Sequence, residues 1–328
     1  MSAVGTVGIV ANPAAGKDIR RLVAAASPTS DVAKIGVIRR AVIGAVEGGA
    51  RRIVLSGDRQ QLAHRAIRGL DGGHVSLEVL DGDVTGSGRD STDAARQMAK
   101  CDAGAVLVLG GDGTHRDVVR GWLDAPLVTI STGTNNVFPV SPVDATTAGQ
   151  AGGLVAAGAV ALDTVSSVAK TIHVRGEGAQ PDDVALVEVA LVDGSFVGSR
   201  AVWDPARLRA VVAAIAEPGA VGLSAIAAAA HPVGRSEPGG VRVDLGPGGR
   251  GFRVPFAPGL FADVEVADVV ALDEGDETHL VGPGLCAFDG ERDRVLGAGE
   301  RVTLTIRSDG PRVIDVTAVL AAARQEGR

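Results

Sequence analysis

The chain has 328 residues, 45% of them hydrophobic and 22% charged, with a formal net charge of −7. That length allows two domains, each with its own core, and the composition is that of an ordinary globular protein rather than a disordered or membrane one. A negative balance without basic runs or aromatic stacking strips excludes nucleic acid as the expected partner.

Aromatic residues are scarce, with six Phe, two Trp and no Tyr, so the core has to be built from Val, Leu, Ile and Ala. The longest uncharged stretches, Ala145 to Leu162 and Pro218 to Gly234, are rich in Gly, Ala and Thr or broken by Pro. Neither makes a bilayer span, and no membrane segment is expected. No basic region followed by an apolar one opens the chain, and a cytoplasmic location is expected. Cys101 and Cys286 lie far apart without CxxC spacing, and read as small buried hydrophobes. The histidines at 64, 74, 173, 231 and 279 are scattered without HxxxH spacing, and none is read as a metal ligand.

In chain order, Val4 to Ala11, Arg52 to Leu55, Val75 to Leu80, Ala105 to Leu109 and Leu127 to Ile130 predict short buried strands. Helical patterns fall between them at 31–47, 58–69, 91–100 and 115–123, the third opened by Ser91 or Thr92 as its cap. This alternation predicts a mostly parallel sheet with helices on both faces, binding ligands at its C-terminal strand ends. Residues 141–164 form a linker region with a candidate helix over 145–157. Beyond Val165, β-rich stretches run Val168 to Val174, Val184 to Val192, Val241 to Leu245, Val264 to Leu272, Leu285 to Phe288, Val302 to Ile306 and Val313 to Val316. Gly, Pro and Asp turns separate them, and one helix is expected over Pro205 to Ala216. The expected organisation is an α/β nucleotide-binding domain at 1–140, the linker, a β-rich substrate domain of two packed sheets at 165–316, and a C-terminal helix or tail at 317–328.

Four aliphatic residues, Val106 to Leu109, run into Gly110-Gly111-Asp112-Gly113-Thr114. A strand that ends in glycines and turns into a helix leaves N–H groups open to an anion. An acid inside such a turn repels phosphate unless a cation or a reacting hydroxyl stands between. Asp112 would then bind Mg²⁺ or take a proton from an acceptor. The competing reading is a tight turn with Asp112 as helix cap. Two more polar turns follow strands on the same sheet edge: Asn12-Pro13-Ala14-Ala15-Gly16-Lys17, and Ser131-Thr132-Gly133-Thr134-Asn135-Asn136. Far downstream, Phe288-Asp289-Gly290-Glu291 sets two acids around a glycine at a strand end. Gly16-Lys17 is not a Walker A loop, because Ala11 stands where a glycine is needed and Asp18 follows the lysine. No GxGxxG follows the first strand either, against a Rossmann dehydrogenase.

Taken together, "NPAAGKDIRRLVA", "GGDGTHRDVV", "STGTNNVFP" and "FDGERDRVL" resemble the ATP-NAD kinase-like family typified by acetoin-catabolism protein X, within the superfamily of NAD kinases, diacylglycerol kinases and sphingosine kinases. The resemblance implies an ATP-dependent kinase using Mg²⁺, with an α/β N-terminal domain, a β-sandwich-like C-terminal domain and the active site between them. On it, Asp112 matches the catalytic acid, while Gly110, Gly111, Gly113 and Thr114 match the nucleotide-phosphate turn. Asn12 and Gly16 match the first turn at the nucleotide, with Lys17 or Arg20 helping to hold phosphates. Gly133, Thr134, Asn135 and Asn136, expected at the nucleotide, resemble both the Gly-Thr-x-Asn loop of lipid kinases and the Asn-containing substrate loop of NAD kinases, and Asp289 and Glu291 match the Asp-Gly-Glu that supplies an acid near Mg²⁺ in the lipid-kinase branch. His115 and Arg116 read either as substrate contacts or as a solvated helix face, and Thr92 as a cap rather than a phosphate ligand. Relatives further imply a homo-oligomer formed through the β-rich domain.

Two departures bear on the acceptor. The Asn-Glu pair of typical NAD kinases is not evident, since Asn136 follows Asn135, and their Thr-Pro-Thr-Gly-Ser-Thr-Ala-Tyr stretch is degenerate here as 217–225. The 2′-hydroxyl of NAD is the favoured acceptor. A lipid kinase, a kinase for another hydroxylated metabolite and a nucleotide-binding sensor without turnover are the alternatives.

Overall fold

The computed structural model describes residues 5–16, 30–70, 73–132, 136–139, 143–177, 181–197 and 201–325. Five parallel strands begin the chain: β1 (Thr6–Ala11), β2 (Arg52–Leu55), β3 (Ser76–Val79), β4 (Ala105–Gly110) and β5 (Pro126–Ser131). Their spatial order is β3-β2-β1-β4-β5. The chain therefore reverses its winding direction between β1 and β4. The C-terminal ends of those two strands form the crevice where an open parallel sheet takes its ligands.

Burial on both faces explains why these strands are nearly continuous aliphatic runs. Ala105, Leu107 and Leu109 of β4 enter one core, whereas Val106 and Val108 enter the other. The first core is covered by α1 (Asp31–Glu47), α2 (Leu62–Ile67) and α5 (Ala145–Ala156), the second by α3 (Gly88–Lys100) and α4 (Asp112–Gly121). Helices α1 and α5 meet backbone to backbone. A Cβ at Gly44 would lie 2.0 Å from the Thr146 carbonyl oxygen, and one at Gly149 would lie 2.2 Å from that of Ala41.

The rest of the chain builds two antiparallel sheets among the described residues. One has the order β12-β11-β10-β9-β14-β15: β9 (Glu188–Val192), β10 (Leu208–Ala213), β11 (Gly240–Ala257), β12 (Leu260–Leu272), β14 (Gly284–Phe288) and β15 (Glu291–Leu296). The other has the order β13-β16-β7-β8: β7 (Thr171–Gly176), β8 (Asp183–Ala185), β13 (Glu277–Val281) and β16 (Arg301–Arg307). Ile172, Val212, Phe288 and Leu304 are among the side chains packed between them. After this excursion the chain returns to its first sheet. Strand β17 (Arg312–Ile314) pairs parallel to β5, β6 (Ser166–Val168) pairs with β17, and α8 (Val316–Gln325) closes the described chain. Two short helices complete the order, α6 (Leu162–Val165) and α7 (Leu223–Ala230).

Two local expectations are corrected, and one helix was unforeseen. Residues 205–216 form no α-helix; a 3₁₀ turn at Pro205–Arg207 leads into β10. That alanine-rich segment has helical propensity, yet Ala210 and Val212 face one core and Val211 and Ala213 the other, so pairing between β9 and β11 prevails. Helix α7 was not expected, although Leu223-Ser224-Ala225-Ile226 and four alanines are strong helix formers. Helix α3 is capped by Ser87, whose hydroxyl accepts the Arg89 N–H, rather than by Ser91 or Thr92. Both cysteines are free, Cys286 buried and Cys101 half-buried. No helix among the described residues is long and apolar enough to cross a membrane.

Candidate active site

At the crevice, the turn after β1 and the turn after β4 are tied together. The Asn12 side-chain amide donates to Thr114 Oγ1 at 2.9 Å, and its Oδ1 accepts the Ala14 N–H at 2.8 Å. Gly16 closes this turn at φ +71°, a left-handed conformation suited to glycine. Gly110 is required for packing, since a Cβ there would sit 2.3 Å from Thr114 Cβ. Gly111 stands at the N-cap of α4 with no side chain capping the first helical turn.

A cleft of about 590 Å³ opens over these turns, lined by Asn12, Pro13, Gly113, Thr114 and Glu291 among others. It also takes in Ser56 to Gln60 after β2 and Gly86 to Gly88 before α3, which the motif reading passed over. The signal was present: both stretches follow parallel strands on the same edge, and Thr85-Gly86-Ser87-Gly88 is a second glycine-rich entry into a helix. Two acids of this wall act as caps. Asp58 accepts the N–H groups of Leu62 and Ala63, and Asp90 accepts those of Thr85 and Gly86. Asp117 and Glu291 also line the cleft. A Cβ on Gly113 would come within 3.3 Å of Glu291 Oε1, so the late acid lies against the glycine turn. Burial pushes the Asp117 carboxyl up to about 6; Arg116 opposes this and Glu291 adds to it.

Asp112 does not line that cleft. Its carboxylate is buried and accepts the backbone N–H groups of Val137 (3.1 Å) and Phe138 (2.9 Å). It borders a separate cavity of about 10 Å³ with Val137, Val202, Gly222, Glu188, Asp289 and Gly290. A space that small holds about one water molecule.

Asp289 and Glu291 are not brought together as a metal pair. Asp289 and Gly290 have φ +48° and +77°, and Phe288 pairs with Glu291, as in a two-residue hairpin turn of the Asp-Gly kind. The Asp289 carboxylate turns inward and accepts the N–H groups of Leu186, Val187 and Glu188. Burial raises it to about 6, with Arg116 and those donors opposing. Among the described residues, no three His, Cys, Asp or Glu side chains converge to hold a metal.

The solvated-face reading of His115 and Arg116 is corrected, because both side chains are buried; neither lines the cleft, though Arg116 borders an adjoining pocket of about 180 Å³ with Gly113, Asp117 and Glu291. Arg116 donates to Asp183 (2.6 Å), Asp293 (3.0 Å) and the Val184 carbonyl (2.8 Å), with its guanidinium 4.4 Å from the Phe288 ring centre. It joins the glycine-turn helix to β8 and β15. Thr92 is also interior to its helix, donating to the Asp117 carbonyl at 2.7 Å. Lys17, Arg20, Gly133, Thr134 and Asn135 lie outside the described residues. Asn136 is described, and its amide donates to Ser131 Oγ.

His115 Nδ1 hydrogen-bonds the Gly111 carbonyl, which makes it the protonated nitrogen, and Nε2 has no hydrogen-bond partner among the described residues. Burial pushes the imidazole down to about 4, against the opposing effect of that hydrogen bond. Between the unfolded value of about 6.5 and pH 4, the unfolded chain binds a proton that the folded one refuses, so stability falls with acidification. Relative to His115→Leu, the wild-type protein is expected to lose about 3 kcal/mol between pH 7 and pH 4 in denaturant titrations. Asp117 and Asp289 shift the other way but are common to both proteins. A pH-independent difference would refute the buried neutral imidazole.

Residues 49–157 match the ATP-NAD kinase N-terminal domain, and residues 170–309 match the acetoin catabolism protein X C-terminal domain. The acetoin catabolism protein X of Cupriavidus necator is 38% identical, with 97% of this chain and 92% of that protein covered. The chain belongs to the acetoin catabolism protein X family. Among solved structures, yeast NADH kinase complexed with NADH superposes with a TM-score of 0.53 at 11% identity, covering 98% of this chain and 87% of that one. A putative diacylglycerol kinase from Bacillus anthracis gives 0.46 at 13% identity, covering 97% and 100%. The acetoin catabolism protein X fold is thus of the NAD kinase type, an α/β domain with a mostly parallel sheet joined to antiparallel sheets.

Proposed function

We propose that the protein is an ATP-dependent phosphotransferase of the NAD-kinase type, acting on a hydroxyl of a small metabolite, foremost the 2′-hydroxyl of NAD. The observation that carries this reading is the joining of the Asn12 and Gly110–Thr114 turns at the sheet's switch point, over a cleft large enough for a nucleotide. The N-terminus of α4, which no side chain caps, suits the donor's phosphates, and Ser87 and Gly88 line the same cleft. Mg²⁺ is usually held by one or two carboxylates together with substrate phosphates, and Glu291 beside Gly113 fits that need, with Asp117 in the same cleft. Bound there, the ion would neutralise phosphate charge.

Neighbouring residues line the two spaces, Gly113 and Glu291 the cleft and Asp112 and Gly290 the small cavity, with Gly113 against Glu291. The transferring phosphoryl group belongs at this junction, with the acceptor hydroxyl on the Asp112 side. Asp112 orients that hydroxyl and takes its proton. Alignment and charge neutralisation supply most of what such a transfer requires. An acceptor larger than water has to move Val137, Val202 or Gly222 aside, because the cavity is only about 10 Å³. This narrowness favours one second reading, a sensor that binds nucleotide without turnover.

Phosphorus NMR of the protein with Mg-ATP, and NAD, NADH, diacylglycerol or no acceptor, separates the two. A new 2′-phosphate resonance from NAD is the expected result. Nucleotide binding with no transfer to any acceptor would replace the kinase by the sensor.

A further inference from the structure

Among the described residues lining the large cleft, Arg59 carries the one cationic side chain. It stands just past β2 and is held rather than loose. Its Nε donates to the Val84 carbonyl at 3.3 Å, and its side chain lies against Gly86, where a Cβ would be 3.3 Å from Arg59 Cδ and Nε. Gly86 also has φ +76°, so glycine serves both the turn and the contact. The nearby acids Asp58 and Asp90 are turned to backbone N–H groups, and Arg59 forms no ion pair among the described residues. A guanidinium fixed at one edge and unpaired at the other is prepared for an anion, and its planar fork suits phosphate oxygens.

The sheet order sets the span. β2 and β4 flank β1, so the strands that lead into Arg59 and into the glycine turn lie two strand spacings apart, roughly 10 Å. A phosphate chain bridges such a distance, whereas a single phosphate does not. We propose that Arg59 grips the donor's phosphate chain at the end remote from Gly113, so that the cleft is built for a di- or triphosphate. The inference rests on the kinase reading, which places those phosphates in this cleft. The same chemistry would come from a nucleotide or from an inorganic polyphosphate.

Calorimetric titration tests it with the full chain, Arg59→Gln and Arg59→Lys, using Mg-ATP, Mg-ADP, AMP, adenosine and inorganic tripolyphosphate. Arg59 is exposed, and matching thermal midpoints would establish that the variants fold. With the transferring phosphoryl group at Gly113 the remote end is the α-phosphate, so Arg59→Gln is expected to weaken ATP, ADP and AMP alike, each about tenfold or more, and adenosine little. Arg59→Lys should recover part of the loss. Tripolyphosphate weakened alongside ATP would mark the chain itself as what is held; weakening of ATP, with no binding of tripolyphosphate by any form, would mark a nucleoside-bearing donor. An equal loss for adenosine would assign Arg59 to the base or sugar and overturn the proposal, and a loss confined to ATP would put Arg59 at the opposite end of the chain and overturn it too. Unchanged ATP binding in Arg59→Gln would overturn it while leaving the kinase reading intact. If the wild-type protein bound none of the five, both would fall together.

Discussion

Asp112→Asn is expected to lower phosphoryl transfer by at least about a hundredfold, the smaller end of what a positioned general base contributes. The substitution has to be read against a second duty of the carboxylate. Its oxygens accept the N–H groups of Val137 and Phe138, and so anchor the segment after β5. Asparagine keeps one acceptor oxygen for those donors but turns an NH₂ toward them at the other position, so part of the anchor is lost with the charge. Nucleotide affinity separates the duties, because Asp112 does not line the large cleft. A collapse in turnover with ATP affinity within about twofold of the wild type would belong to the proton-transfer role. Equal losses in turnover and ATP affinity, together with a lower thermal midpoint, would make Asp112 an anchor. Near-normal turnover would remove it from the chemistry.

What the sequence disclosed follows from how far apart the interacting residues lie. The parallel strands were legible because burial on both faces forces short aliphatic runs, and their C-terminal turns were legible because glycine and Asn-Pro are local signals. The Asn12 to Thr114 bond spans 102 residues, yet motif order pointed to it. Nothing local marked His115 and Arg116 as buried. Three polar residues at the start of a helix ordinarily face water, and here the covering partners of Arg116 come from 67 and 177 residues away. For the same reason Asp289 looked like a ligand. Its hydrogen bonds go to backbone donors about a hundred residues earlier, which no spacing rule foresees. Strand β10 was hidden by alanine, a residue equally at home in a helix or between two sheets. The capping acids of the cleft, Asp58 and Asp90, could have been found as helix-start signals had the stretches after β2 and β3 been read as the third and fourth turns of one edge.

Arg116→Met should be the most damaging single change for folding, costing about 3–5 kcal/mol at neutral pH. The side chains of Arg116 and Asp183 are only 5% and 4% exposed, so removing the cation leaves a carboxylate with nowhere to hydrate. Arg120 and Arg294 still approach Asp183, at 3.1 and 3.9 Å, which keeps the loss from being larger. Asp293, at 37% exposure, can turn to solvent. Asp289 cannot. It is already raised to about 6 by burial, with Arg116 opposing, and loss of the arginine pushes it further up. A buried acid whose folded pKa lies above its unfolded value binds more protons when folded, so its burdened anion costs stability above that folded pKa and the cost fades as pH falls toward 4. Denaturant midpoints at pH 7.5 and pH 5 should therefore show a deficit for Arg116→Met that narrows in acid. Arg116→Lys, which keeps the charge without the planar fork, should fall between. A deficit below about 1 kcal/mol at both values would mean that the three carboxylates do not depend on this arginine. The link from α4 to β15 would then have to come from apolar contact alone. Given a deficit of the expected size, the same arginine that stabilises the fold also fixes how closely Glu291 approaches Gly113, since Asp293 and Glu291 share one strand.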